Sequence, residues 1–155
     1  MEQLTDEELF TVLDPESNSV AIIVKHMVGN MRSRFRDFLT TDGEKPDRNR
    51  DTEFVDPPVS REALIRMWED GWRYVFGALD PLTEADMART VTIRGEAHSA
   101  MQAIHRQIAH YAMHCGQIVF LAKHLSYQRW KPLTIPKGKS QEYLQLVRAG
   151  EVSQR

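Results

Sequence analysis

Cysteine is nearly missing: the 155-residue chain holds one, Cys115, so no intramolecular disulfide can form. A lone thiol points toward a reducing cytoplasmic setting. An excess of charge is missing as well. Twenty Lys and Arg face 22 Asp and Glu, a net charge of −2. That balance gives no bulk electrostatic pull toward nucleic acid, so no nucleic-acid partner is expected. No apolar run approaches the roughly 18 residues of a membrane span, which argues against a membrane partner. The acidic opening, Met1-Glu2-Gln3-Leu4-Thr5-Asp6-Glu7-Glu8, lacks the positive charge that starts a secretory signal. Internal repeats and low-complexity linkers are also lacking. The 41% hydrophobic and 27% charged fractions exclude wholesale disorder. One domain over 1–155 is expected, with 131–155 as an extended tail.

What is present is helical periodicity. Val20, Ile23, Val24, Met27, Met31 and Phe38 recur at helical spacing between Ser19 and about Thr40, with no proline among them. Ser60 is a suitable N-cap for a second helix carrying Leu64, Met67, Trp68, Trp72, Val75 and Phe76, stopped by Asp80-Pro81. Ser99-Ala100-Met101-Gln102 reads as a capping box opening a third helix that runs to about Ser126. Its apolar stripe is Ala100, Ile104, Ile108, Tyr111, Cys115, Ile118, Ala122 and Leu125, which predicts a packed core thiol at Cys115. Thr5 to Glu8 and Thr83 to Asp86 carry shorter capping signals. Val91-Thr92-Ile93 reads as a short extended piece, and a last short helix is expected near Tyr143 to Ala149. The charged stretch 41–59, with Pro46, Pro57 and Pro58, is a long loop of the kind that often carries function. The fold class is therefore all-α: a helical bundle of three long helices with short N- and C-terminal segments.

Six histidines are the chemical signal. His110 and His114 stand four apart, one turn along the same side of the third helix, where two imidazoles can share one cation. Turned inward without a partner they would be costly, and a divalent metal removes that cost. The competing reading is a pair hydrogen-bonded to water or carbonyls. His26, beside the apolar stripe of the first helix, can complete a set of three if that helix packs next to the third. Three nitrogens with an open fourth position is the pattern of a catalytic rather than a structural zinc site. Asn30, Asp37 and Gln117 are polar neighbours that could orient the rings or a bound water; each is otherwise a solvated helix position. His98, His105 and His124 fall off the ligand strip. The zinc-protease pattern fails because Tyr111, not Glu, follows the first histidine, and Gly138-Lys139-Ser140 lacks the glycine that a phosphate loop needs, Leu133 standing there.

His110-x3-His114-x-Gly116-Gln117-Ile118, with the upstream Val24-Lys25-His26-Met27-Val28-Gly29-Asn30, resembles the DinB-like metal-binding superfamily. Pro15-Glu16-Ser17-Asn18-Ser19, Gly29-Asn30-Met31-Arg32-Ser33-Arg34, Thr41-Asp42-Gly43-Glu44-Lys45-Pro46 and Ile135-Pro136-Lys137-Gly138-Lys139-Ser140 are similar to a bacterial subfamily of unknown function within it. The resemblance implies a four-helix bundle that binds a divalent metal through His26, His110 and His114. It also implies kinship with enzymes that activate a small thiol on the metal. The resemblance implies a long helix before the Leu4-Thr5-Asp6 segment at which this sequence begins. Without it an apolar groove lined by Met27, Met31, Phe38, Trp68, Trp72 and Phe76 is expected, covered by a second copy as a homodimer or, alternatively, by residues 1–14 and the tail after Lys131 folding back. The expected cofactor is zinc or nickel, with iron as an alternative. The expected function is a metal-dependent enzyme activating a thiol or water, as a thiol transferase or a hydrolase. A non-catalytic metal-binding stress or interaction protein, and a helical interaction protein with structural histidines, are the competing readings.

Overall fold

A computed structural model describes residues 1–153. In chain order the elements are α1 (Asp6–Phe10), α2 (Val20–Phe35), α3 (Arg61–Leu79), β1 (Thr90–Ile93), β2 (Glu96–Ser99), α4 (Ala100–Leu125) and α5 (Ser140–Arg148), with 3-10 turns at Asp51–Phe54 and Glu84–Ala88. The long helices begin where serine hydroxyls accept otherwise orphaned backbone N–H groups. Ser19 Oγ accepts from Ile22 N, Ser60 Oγ from Ala63 N, and Ser99 Oγ from Gln102 N. The Gln102 side chain returns the favour by accepting from Ser99 N at 2.8 Å. Such caps contribute about 1 kcal/mol each. Among the described residues no helix is long and apolar enough to cross a membrane.

Helix α2 is the central element. Its Ile23, Met27, Met31 and Phe35 pack with Val75 of α3 and with Ala100, Ala103 and Tyr111 of α4. Its Val20, Ala21 and Val24 join a second cluster with Leu4, Leu9, Leu64, Leu121 and Ala122. Helices α2 and α3 approach closely at Gly71, where a Cβ would meet Met31 Sδ at 2.8 Å and Val28 Cγ2 at 3.0 Å.

Three expectations need correction. Helix α2 stops at Phe35 instead of about Thr40, because Asp37 adopts a left-handed φ of 50° and its carbonyl then accepts from Thr40 N and Thr41 N. Phe38 still reaches the core through this turn, 5.5 Å from the Phe35 ring. On α4 the buried line is Ala100, Ala103, Gln107, Tyr111, Leu121 and Ala122. Ile108 and Cys115 are exposed instead of packed. The helix is rotated so that its histidine-bearing strip faces α2, which turns these two residues of the apolar stripe outward. The expected apolar groove is mostly filled. Met27, Met31 and Phe38 are buried, Trp68 and Trp72 of α3 are half-buried against the core, and Leu4 and Leu9 of the N-terminal segment pack onto Val20, Val24 and Leu64. Of the six expected lining residues only Phe76 stands in the open.

The extended piece at Val91 is one arm of a hairpin, pairing Val91 with His98 and Thr90 with Ser99. Its tip, Arg94 and Gly95, has φ of 56° and 78°, which suits a tight turn with both central residues left-handed. Asp42 fastens the 41–59 loop to this tip: Oδ1 accepts from Arg94 N and Oδ2 from Gly95 N, both at 2.8 Å. Gly43 N donates to Thr92 O at 2.7 Å alongside.

Candidate metal centre

Helix α2 presents His26 into the interior, and α4 presents His110 and His114 toward it from one face. The three rings meet edge to face, with His110 and His114 centroids 4.5 Å apart and His26 and His114 centroids 4.9 Å apart. Their Nε2 atoms converge. His26 Nε2 lies 3.3 Å and His114 Nε2 3.0 Å from His110 Nε2. Nitrogens bound at the 2.0–2.1 Å typical of zinc, at tetrahedral angles, stand about 3.3 Å apart. The three ligand atoms lie within 4.8 Å of one another, and no other group of three or more such residues forms among the described residues.

The remaining ring nitrogens say which atoms carry protons. His26 Nδ1 faces Glu53 Oε2 at 2.8 Å, and a carboxylate only accepts, so that nitrogen donates. His114 Nδ1 faces Gln117 Oε1 at 2.7 Å and donates likewise. In the neutral rings this leaves bare lone pairs on both Nε2 atoms. His110 Nε2 sits between them and can donate one hydrogen to only one. Its own Nδ1 is buried with no partner. Two or three lone pairs thus face a common point, an arrangement that fits a cation of borderline softness.

Burial, followed by the charges of His114 and His26, lowers the His110 pKa to about 4. Burial also lowers that of His114. Both shifts keep these rings neutral near pH 7, as metal ligation requires.

Glu53 is the residue that sequence reasoning missed. Burial alone would raise its pKa, but hydrogen bonds from His26 and Arg48 and the Arg48 charge outweigh that and lower it. Arg48 grips it with two bonds, Nε to Oε1 at 2.8 Å and Nη2 to Oε2 at 2.9 Å. Arg48 also reaches Glu44 at 3.4 Å, which in turn holds Arg34 at 3.1 Å and Arg94 at 2.9 Å. The carboxylate lies directly against α2 because residue 29 has no side chain: a Cβ on Gly29 would fall 2.6 Å from Glu53 Cδ. The neighbouring Phe54 stacks on His26 with centroids 4.7 Å apart. The available signal was the length and charge of the 41–59 loop, which flags a segment without choosing among its acids.

The three expected orienting residues divide. Gln117 touches a ring, holding His114 as described. Asn30 is buried, but its Oδ1 accepts from the Tyr111 hydroxyl at 3.3 Å, so it ties α2 to α4 beside the rings. Asp37 lies past the end of α2 and is exposed, so it shares no helical strip with His26. His98, His105 and His124 are outside the cluster.

A family model described as "Protein of unknown function (DUF1572)" matches residues 1–139. No curated protein and no solved structure matches the chain.

Proposed function

The chain belongs to the DUF1572 family of proteins of unknown function, and from that premise we propose that it holds one divalent metal ion through His26, His110 and His114 and works as a metal-dependent enzyme. The observation that carries the reading is the convergence of three Nε2 atoms whose ring partners, Glu53 and Gln117, leave two of them as bare acceptors. When bound, zinc or nickel, or iron in their place, would act as a Lewis acid on a fourth ligand, a small thiol or a water. The protein's own part is positional. Glu53 and Gln117 fix the rings, Arg48 fixes Glu53, and Phe54 covers one face of His26. The resemblance to DinB-like proteins supports a thiol as that ligand, and thiol transfer or hydrolysis as the reaction class. A non-catalytic metal-binding role is the alternative.

The reading extends to assembly and setting. Phe76, Ile108 and Phe120 expose 53%, 59% and 76% of their surface on α3 and α4, which supports a two-fold dimer covering these faces. The lone cysteine supports a reducing, cytoplasmic location, and the absence of a linker supports a single domain over 1–155.

Metal analysis of protein purified without chelator or nickel affinity tests the centre. About one ion per chain is expected, lost in His26→Ala and His110→Ala; unchanged stoichiometry in both variants defeats the site. Cobalt-substituted protein should change its visible spectrum on adding thiol. A spectrum indifferent to thiols, imidazole and azide would favour the non-catalytic alternative.

A further inference from the structure

A cavity of about 170 Å³ opens beside the histidine cluster, with His26 and His110 in its wall. Five arginines line it: Arg34, Arg48, Arg50, Arg94 and Arg106. The carboxylates paired with them are Glu44, which serves Arg34, Arg48 and Arg94, and Glu53, which serves Arg48. Five positive charges against two negative ones leave three uncompensated around one small space. Arg50 and Arg106 make no ion pair among the described residues; Arg50 is held over the Phe54 ring, 4.8 Å from its centroid.

Concentrating like charge in a partly buried pocket is unfavourable unless an opposite charge enters it. Hydrogen-bonding capacity points the same way. Arg34 is 6% exposed, yet its Nε–H has no partner, and neither has the buried His110 Nδ1. Arg34 Nε is a donor in any state, and His110 Nδ1 becomes one when its Nε2 gives its lone pair to a metal; buried donors left unpaired cost about 1–3 kcal/mol each. Gln107, also lining the cavity, has a buried Oε1 without a donor.

We propose that this cavity binds a small oxyanion-bearing molecule, a carboxylate or a phosphate, and sets its other end beside the histidine cluster. Arg50, Arg94 and Arg106 close on the anion from the open side, and a shift of the wall would bring Arg34 Nε and His110 Nδ1, which have no surface open to the cavity, into donating contact from behind. Gln107 accepts a hydrogen from a hydroxyl or similar donor on the same molecule. Guanidinium groups suit this task because each offers a planar fork of donors to an oxyanion. The inference rests on the metal reading for what happens at the cluster, since it names the charge of the molecule that would be presented there.

Calorimetric titration of the zinc-loaded 155-residue protein with inorganic phosphate and, separately, with malonate tests the proposal, with metal content measured on each sample. At least one anion should bind. Arg50→Gln combined with Arg106→Gln should weaken that binding at least tenfold without lowering metal content. Arg50→Lys with Arg106→Lys should bind more tightly than the glutamine variant and more weakly than wild type, since the charge is kept and the fork is lost, and Arg66→Gln with Arg73→Gln, elsewhere on the surface, should leave binding unchanged. Preference for phosphate or for malonate identifies the headgroup. Failure of both anions to bind, or equal binding by the Arg50 and Arg106 glutamine variant, overturns the proposal. A protein that lacks metal yet loses anion binding in that variant defeats the metal reading and leaves the arginine cavity standing.

Discussion

Glu53→Gln keeps the shape of a buried side chain and removes its charge, and its consequences can be worked through atom by atom. The carboxylate accepts from His26 Nδ1 at 2.8 Å and from Arg48 at 2.8 and 2.9 Å. An amide has one accepting oxygen. If that oxygen stays with His26, the amide nitrogen confronts a guanidinium N–H, donor against donor. If it turns to Arg48, the imidazole loses the partner that keeps its Nε2 bare. The Arg48 and Glu53 side chains are 6% and 7% exposed, so little solvent can compensate. Breaking a buried pair costs about 3–5 kcal/mol, and because an amide oxygen at the Oε2 position keeps both His26 Nδ1 and Arg48 Nη2, losing only Arg48 Nε, a loss of about 3 kcal/mol in folding stability is expected. Removing the group that orients a ligating histidine costs about tenfold to a hundredfold in metal affinity. Competition titration of zinc against a chromophoric chelator, on protein whose helicity matches the wild type, reads the second quantity. Gly29→Ala attacks the same carboxylate from the other side, through the 2.6 Å approach of the new Cβ to Glu53 Cδ, and should lower affinity in the same direction. Zinc affinity within twofold of wild type in both variants would refute the idea that Glu53 orients His26.

Two further outcomes are expected. Asp42 has its pKa lowered to about 2, chiefly by backbone N–H groups of Glu44 and Gly95. A carboxylate with a depressed folded pKa stabilises above its unfolded value near 3.9 and stops doing so as pH falls toward 2. The melting-temperature gap between wild type and Asp42→Asn should therefore shrink between about pH 4 and 2; a pH-independent gap would show that its charge is not what fastens the hairpin. Light scattering at low micromolar concentration should give twice the 17.9 kDa chain mass, reduced by Phe120→Asp, whereas a clean single-chain mass for the wild type would defeat the dimer.

The parts of this molecule legible in its sequence are those written locally. Ser60 and the Ser99-Gln102 box mark helix starts because a cap needs only neighbouring residues. The spacing of His110 and His114 fixes their shared face for the same reason. Bringing His26 to them required only that two amphipathic helices pack. Glu53 was hidden because nothing local separates it from the other acids of its loop; its choice is made by Gly29, 24 positions earlier, which leaves the space. Asp37 falls outside α2 because a left-handed residue can end a helix without a proline or glycine to announce it. Apolar character alone puts Ile108 and Cys115 on a buried stripe, while the histidine strip beside it is the side that meets α2.

Arg94, Glu44, Arg48 and Glu53 form a row of alternating charge running from the hairpin tip to His26 of the cluster. Such a row is unequally tolerant along its length. At its outer end Arg94 is 55% exposed on its side chain, and water can replace it as a neighbour of Glu44. Loss of Glu44 has no such remedy: the buried Arg34 would lose its carboxylate, and Arg48 would keep only Glu53. Loss of Arg48 sets Glu44 and Glu53 against each other. Interior members can therefore change only in compensated pairs, so drift in sequence is free at the hairpin tip and correlated further in.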